Sequence, residues 1–225
     1  MDEKLKYMIE TIGLEARNAE PWVGKPDIDP RVLAAMAKVP RHEFVPPDVA
    51  YAAYEDGPLP IGHGQTISQP YIVALMTDLL QPQPEDVMLE VGTGSGYQAA
   101  VLSLLVSQVY SIEVVKALAE AVAARLKRLA YSNIETRWGD GYHGWPEHAP
   151  YDGIIVTAAA PEIPQPLIDQ LKPGGRLVVP VSRPLLGQDL LLLEKDQQGR
   201  IQQRSVLPVA FVPLIRLHEK TGAEG

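Results

Sequence analysis

Apolar and polar residues along this chain switch between two periods. Short runs rich in apolar and β-branched residues, bounded by turn residues, predict strands over 87–91, 108–113, 134–138, 152–157 and 175–181. Between them, residues 70–80, 97–106, 115–130 and 164–171 place apolar positions at helical spacing. The stretch from Val114 to Ala130, rich in Ala, Lys, Arg and Glu, is amphipathic throughout. Such alternation predicts an α/β fold, a mostly parallel sheet with helices on both faces. Two late segments, 188–195 and 201–213, are split by Asp196-Gln197-Gln198-Gly199 and predict a closing antiparallel pair, in either order within the sheet.

Upstream of the first strand the pattern is helical and then irregular. Leu5, Met8, Ile9, Ile12 and Leu14 predict a helix over 3–17, and Asp29-Pro30 starts a second that runs through Val39 and stops at Pro40. Residues 40–66 are punctuated by Pro46-Pro47, Gly57-Pro58, Pro60, Gly62 and Gly64. They are too apolar for a linker and predict an ordered loop packed on the domain, the kind that carries function. No repeat or second boundary interrupts the chain. It reads as a single domain, 1–225, with an N-terminal helical and loop extension over about 1–69.

Composition narrows the chemistry. The net charge of −8 argues against a nucleic-acid surface, which needs clustered Lys and Arg. With no cysteine, disulfides, thiolate catalysis and Cys-based zinc sites are excluded, and no metal site is expected. No segment approaches a membrane span, and the opening Met1-Asp2-Glu3-Lys4-Leu5 is charged, so a cytoplasmic monomer without a membrane partner is expected.

The most telling run is Leu89-Glu90-Val91-Gly92-Thr93-Gly94-Ser95-Gly96-Tyr97. A strand ends on a glycine turn that opens a helix, letting backbone N–H groups approach a ligand closely. Position 97 is Tyr, so the pattern is E-x-G-x-G-x-G and not the dinucleotide fingerprint G-x-G-x-x-G. Without that third glycine, and with an acid two residues before the first, the turn suits a nucleoside lacking a pyrophosphate. S-adenosylmethionine is the candidate. In such folds ligands sit at the carboxyl ends of the strands. The second strand ends on Glu113, about twenty residues after the turn, where a carboxylate can accept from both hydroxyls of a ribose. The third runs into Gly139-Asp140-Gly141, an acid flanked by glycines that can accept from an adenine amine. Each has a plainer reading: Glu113 as a cap of the helix over 115–130, Asp140 as an Asx-turn residue, the glycines as any tight turn. Three signals at the tips of three consecutive strands favour an adenosine-type ligand. The expected cofactor set is Thr66, Glu90, Gly92, Gly94, Gly96, Glu113, Asp140 and Gly141.

The fourth strand ends in Thr157-Ala158-Ala159-Ala160-Pro161, not in the Asn/Asp-Pro-Pro-aromatic tetrad that polarises an exocyclic amine. Nothing there helps an acceptor lose a proton. That favours a nucleophile already ionised at neutral pH, such as a carboxylate. Hydroxyl and backbone donors suit it better than an Arg clamp, which would draw charge from the attacking oxygen. The loop Gly62-His63-Gly64-Gln65-Thr66-Ile67-Ser68-Gln69-Pro70 offers such donors, and Ser68 is the candidate catalytic hydroxyl. Its plainer reading is a helix N-cap, although with Pro70 first in the helix the cap falls on Gln69. His63 reads as a solvated loop residue, and Thr66 also as a stabiliser of the loop.

Val39-Pro40-Arg41-His42-Glu43-Phe44-Val45-Pro46, the Gly64–Pro70 loop, the glycine turn, Gly139-Asp140-Gly141 and Leu171-Lys172-Pro173-Gly174-Gly175-Arg176-Leu177 follow one another as in the protein-L-isoaspartate O-methyltransferases. The chain resembles that family from about residue 30 to Pro213. The resemblance implies a Rossmann-like class I S-adenosylmethionine-dependent methyltransferase that esterifies the free α-carboxylate of L-isoaspartyl residues in damaged proteins and peptides. The ester then collapses to a succinimide, and hydrolysis returns part of it to aspartate. It also implies that Ser68 is the active-site residue, that Glu113 binds ribose, that Asp140-Gly141 holds adenine, and that Phe211-Val212-Pro213-Leu214 lies near the substrate peptide. Residues 1–20 and the tail after His218 match nothing distinctive. The alternatives are a small-molecule or RNA methyltransferase on the same fold and a silent nucleoside-binding module. A nicotinamide dehydrogenase is weaker still, since the chain lacks the third glycine and a Tyr-x-x-x-Lys pair.

Overall fold

The computed structural model describes residues 3–183 and 185–217; the tail after His218 lies outside them. Helix α1 (Glu3–Val23) runs past the expected end at 17, through Pro21, and stops at Gly24, whose N–H returns to the Glu20 carbonyl at 2.8 Å. Helix α2 (Pro30–Lys38) starts as expected, with the Asp29 carboxylate accepting from the Arg31 N–H. The loop over 40–66 is more structured than the sequence suggested. Two 3-10 turns, Arg41–Phe44 and Pro47–Ala52, are followed by an antiparallel hairpin of β1 (Leu59–Gly62) and β2 (Gln65–Ile67). His63 and Gly64 close it with φ of +53° and +70°, the left-handed pair a two-residue hairpin turn requires.

From there the alternation holds: α3 (Pro70–Leu80), β3 (Val87–Val91), α4 (Tyr97–Ser103), β4 (Gln108–Glu113), α5 (Lys116–Arg128), β5 (Ile134–Trp138), β6 (Tyr151–Val156), α6 (Gln165–Asp169), β7 (Leu171–Arg183), β8 (Gly187–Lys195) and β9 (Ile201–Val209). Helices α4, α5 and α6 end two or three residues short of expectation, and β9 stops four residues short. Strand β7 instead starts four residues earlier, taking in Leu171-Lys172-Pro173-Gly174.

The seven strands lie in the order β5-β4-β3-β6-β7-β8-β9. Strands β3 to β7 pair in parallel, and β8 is antiparallel to both neighbours. This settles the order of the last pair: β8 lies beside β7, and β9 forms the edge. Strands alternate their faces, so Met88, Val109, Ile155 and Val178 join α1 to α5 in one apolar cluster. Their neighbours Leu89, Ile154 and Leu177 pack with α6 residue Leu167 and Trp145 on the other face. The chain reverses direction of travel at β3, running outward to β4 and β5 and then resuming at β6 on the opposite side. A crevice therefore opens beyond the carboxyl ends of β3 and β6, and ligands of open α/β sheets bind in such crevices. Among the described residues no helix is long and apolar enough to cross a membrane.

Candidate active site

Gln65, Thr66 and Ser68 from the hairpin region, Glu90 to Ser95 from the glycine turn, Glu113 from the end of β4, Gly141 and Thr157 converge on one cavity in that crevice. Of the expected cofactor residues, Thr66, Glu90, Gly92, Gly94, Glu113 and Gly141 line it. Gly96 and Asp140 do not. Gly96 opens α4 with φ of +86°, and a Cβ there would stand 2.4 Å from Val122 Cγ2 on α5. Its absent side chain lets the turn pack against α5. The Asp140 carboxylate makes the Asx turn of its plainer reading, accepting from the Tyr142 N–H at 3.0 Å. It also accepts from the Leu217 N–H at 3.2 Å and faces Arg216 at 3.7 Å, while that guanidinium lies 3.9 Å above the Tyr142 ring.

Glu90 shares the β3 face with Met88 and is paired in register with Ser111. The Ser111 hydroxyl donates a short hydrogen bond to Glu90 Oε2, and the Thr93 hydroxyl lies 2.6 Å from that of Ser111. Glu90 Oε1 is buried without a hydrogen-bond partner. The carboxylate of Glu113 accepts from Gly94 N–H at 2.7 Å and from Val115 N–H at 2.9 Å, tying the glycine turn to the start of α5. An ionised carboxylate offers about four acceptor positions, so two remain for a ribose diol. Both readings of Glu113 are compatible: it braces the helix start and still faces the cavity. An orphaned carboxylate oxygen, a bare glycine turn and a partly occupied acid match a ligand bearing an ammonium and a ribose. The residues present fit S-adenosylmethionine.

Burial pushes Glu90 up to about 8; the Ser111 hydroxyl works against that rise and the Glu113 charge adds to it. A folded-state pKa above the unfolded one means the folded chain holds a proton that the unfolded chain has released. Glu90 therefore favours the fold fully below its ordinary value near 4.5, and this contribution is lost as pH rises through about 8. The slope from this one group approaches about 1.4 kcal/mol per pH unit within that window. Glu90→Gln is expected to gain stability relative to the parent between pH 6 and pH 8 in urea unfolding. Parallel changes in both proteins would show that Glu90 does not titrate there.

Ser68 lies on a wall common to two cavities. A second cavity, of about 660 Å³, is lined by Glu15, Trp22, Tyr71 and Phe211 and shares Thr66, Ser68, Thr157 and Val212 with the first. Gln69 is the N-cap residue of α3 and Ser68 precedes it, so the hydroxyl is not a helix cap. The loop is held by other groups. The Ser68 carbonyl accepts from Arg41 Nη2 at 2.7 Å, and the Gln69 amide donates to Asp56 at 2.9 Å.

One contributor, Thr157, was not singled out from sequence, and another reaches further than expected. The Thr157 hydroxyl donates to the Gly92 carbonyl at 2.5 Å and stands between the cavities; its place directly after β6 was the available signal. Val212 to Ile215 line the first cavity, Val212 bordering the second as well, and they are held by pairing of Ala159 with Val212 and Leu214. The segment expected near the peptide thus also walls the cofactor side.

Comparison with known proteins agrees with this geometry. The family model for protein-L-isoaspartate(D-aspartate) O-methyltransferase matches residues 26–219. The chain is 62% identical over 211 residues to protein-L-isoaspartate O-methyltransferase 2 of Syntrophobacter fumaroxidans, covering 94% of this chain and 85% of that one. A solved protein-L-isoaspartate O-methyltransferase superposes with a TM-score of 0.77 at 29% identity over 91% of this chain, which spans 65% of that longer chain. A Plasmodium falciparum chain assigned to the same activity, solved with S-adenosyl-L-homocysteine, gives 0.76 at 27% identity, covering 94% of this chain and 98% of its own. Both the family model and the sequence identity show that the chain belongs to the protein-L-isoaspartate(D-aspartate) O-methyltransferase family.

Proposed function

We propose that Ser68 presents the free α-carboxylate of an L-isoaspartyl residue to the cofactor cavity, from the wall that separates it from the acceptor cavity. The chain is a protein repair methyltransferase, and its cofactor is S-adenosylmethionine. When bound, S-adenosylmethionine supplies an electrophilic methyl group on a sulfonium sulfur. The position of Ser68, on the wall shared by both cavities, carries the assignment of its role. A carboxylate needs no general base at neutral pH, so the chain has only to desolvate and orient it. In this reading the Ser68 hydroxyl donates to one carboxylate oxygen and leaves the other to attack. Glu90 and Glu113 hold the cofactor's ammonium and ribose, and the bare face of Gly141 lies against its base. A Cβ on Gly141 would stand 2.4 Å from Val91 Cγ1, so glycine is what lets this turn pack against the end of β3. Residues 1–225 act as one domain, whose extension over about 1–69 supplies Thr66 and Ser68. The enzyme works as a cytoplasmic monomer on isoaspartyl peptides and proteins, and the net charge of −8 supports that acceptor over a polyphosphate.

The test is transfer of labelled methyl to a matched peptide pair, one with isoaspartate and one with aspartate. Base-labile label on the isoaspartyl peptide alone is the expected result. Label on both peptides, or on neither while cofactor binding persists, would overturn the acceptor.

A further inference from the structure

Arg41 has no exposed surface, yet it is a cation. Its Nε donates to the Ala53 carbonyl and its Nη2 to the Ser68 carbonyl, both at 2.7 Å. The guanidinium lies 4.8 Å from the centre of the Tyr97 ring, and Nη1 has no hydrogen-bond partner. Among the described residues no carboxylate comes within 4.0 Å of it. Asp56 acts on it only at longer range, from an exposed position where it is bonded to Gln69. A whole positive charge is thus buried directly beneath the Ser68 loop with only dipoles and a ring in contact. Such a charge is costly to bury, and neutral donors could make the same two bonds. What a guanidinium adds is its charge.

We infer that Arg41 is a positioning residue that selects the acceptor by charge: it fixes the Ser68 loop through the main chain, and its field draws the isoaspartyl carboxylate to Ser68. The inference rests on the proposed function. It also answers a difficulty in that function, since a chain of net charge −8 must take up an anion. A guanidinium bonded to the attacking oxygen would hold electron density there. Set behind a peptide unit, it attracts the carboxylate without sharing its lone pairs, and burial spares it from screening by salt.

The test compares two peptides on enzyme loaded with S-adenosylhomocysteine, by calorimetry. One carries the isoaspartyl α-carboxylate, and the other carries a primary amide in its place. The parent enzyme is expected to favour the acid by at least about 10-fold, the scale of a charge pair several ångströms apart in protein. In Arg41→Met the preference should fall to about 2-fold or less, and in Arg41→Lys it should stay within about 3-fold of the parent value. Unchanged S-adenosylhomocysteine affinity confirms that each variant is folded. Equal weakening of both peptides in Arg41→Met, with the ratio kept, would reduce Arg41 to a structural brace and overturn the inference. If Arg41→Met does not fold, Arg41→Lys decides, because loss of the ratio in a folded, charged variant overturns it as well. A parent enzyme that methylates the isoaspartyl peptide but does not discriminate the pair would also refute it. Absence of methyl transfer by the parent would instead strike the proposed function.

Discussion

Ser68→Ala is expected to lower turnover on an isoaspartyl peptide by about 10- to 100-fold, the range for a hydrogen bond to a charged group spent on orientation. Cofactor affinity should stay within about 2-fold. The substitution is clean because the loop is held by main-chain and neighbouring groups. The bond from Arg41 ends on the Ser68 carbonyl, which alanine retains, and Gln69 keeps its link to Asp56. Single-turnover kinetics beside calorimetry separates the two effects. Unaltered turnover would remove the hydroxyl from the acceptor.

The second large effect concerns stability. Gly96→Ala should destabilise the fold by about 3 kcal/mol, the sum of a left-handed backbone strain of about 1–2 and overpacking of about 1–3. The overpacking follows from the 2.4 Å approach to Val122, on a helix packed against the sheet. Gly94→Ala is the control. Its φ of +53° carries the strain alone, since the nearest atom to its Cβ is Ile61 Cδ1 at 3.5 Å. A loss of about 1 kcal/mol is expected there. For a chain of this length, about 3 kcal/mol lowers Tm by roughly 6–12 °C. Equal Tm values for the two variants would refute the packing role assigned to Gly96.

The contrast between those glycines shows where sequence reasoning works and where it stops. The turn itself was legible because glycine spacing between a strand and a helix is a local signal. That Gly96 answers to Val122 was not, since the contact joins elements packed across the fold. Tertiary contacts also decided the helix ends. The hairpin of β1 and β2 was hidden for a different reason. Its strands are four and three residues long and include Pro60, which by pattern argues against a strand. Gly62-His63-Gly64 was the available clue, because only a two-residue left-handed turn needs that chemistry. Helix α1 was underestimated because its buried positions after Leu14 include the small residues Ala16 and Ala19, a weak apolar signal, and Pro21 lies in the last turn, where only the Arg17 carbonyl loses its donor. The order of β8 and β9 could not follow from periodicity, which specifies faces and not neighbours. Arg41 was visible only as part of a motif; that it is buried, without a contacting counter-ion and bonded to Ser68 belongs to the packed chain.

The wall common to both cavities has a consequence for synthesis. It is assembled from Thr66 and Ser68 in the early part of the described chain and from Val212 near its other end, joined through Thr157. Contacts of such high sequence separation form late, after the loops between them have closed. On the ribosome, where the N-terminal part emerges first, the glycine turn and the Ser68 loop exist well before the segment that closes them. The chamber for methyl transfer is therefore among the last parts of the molecule to be completed.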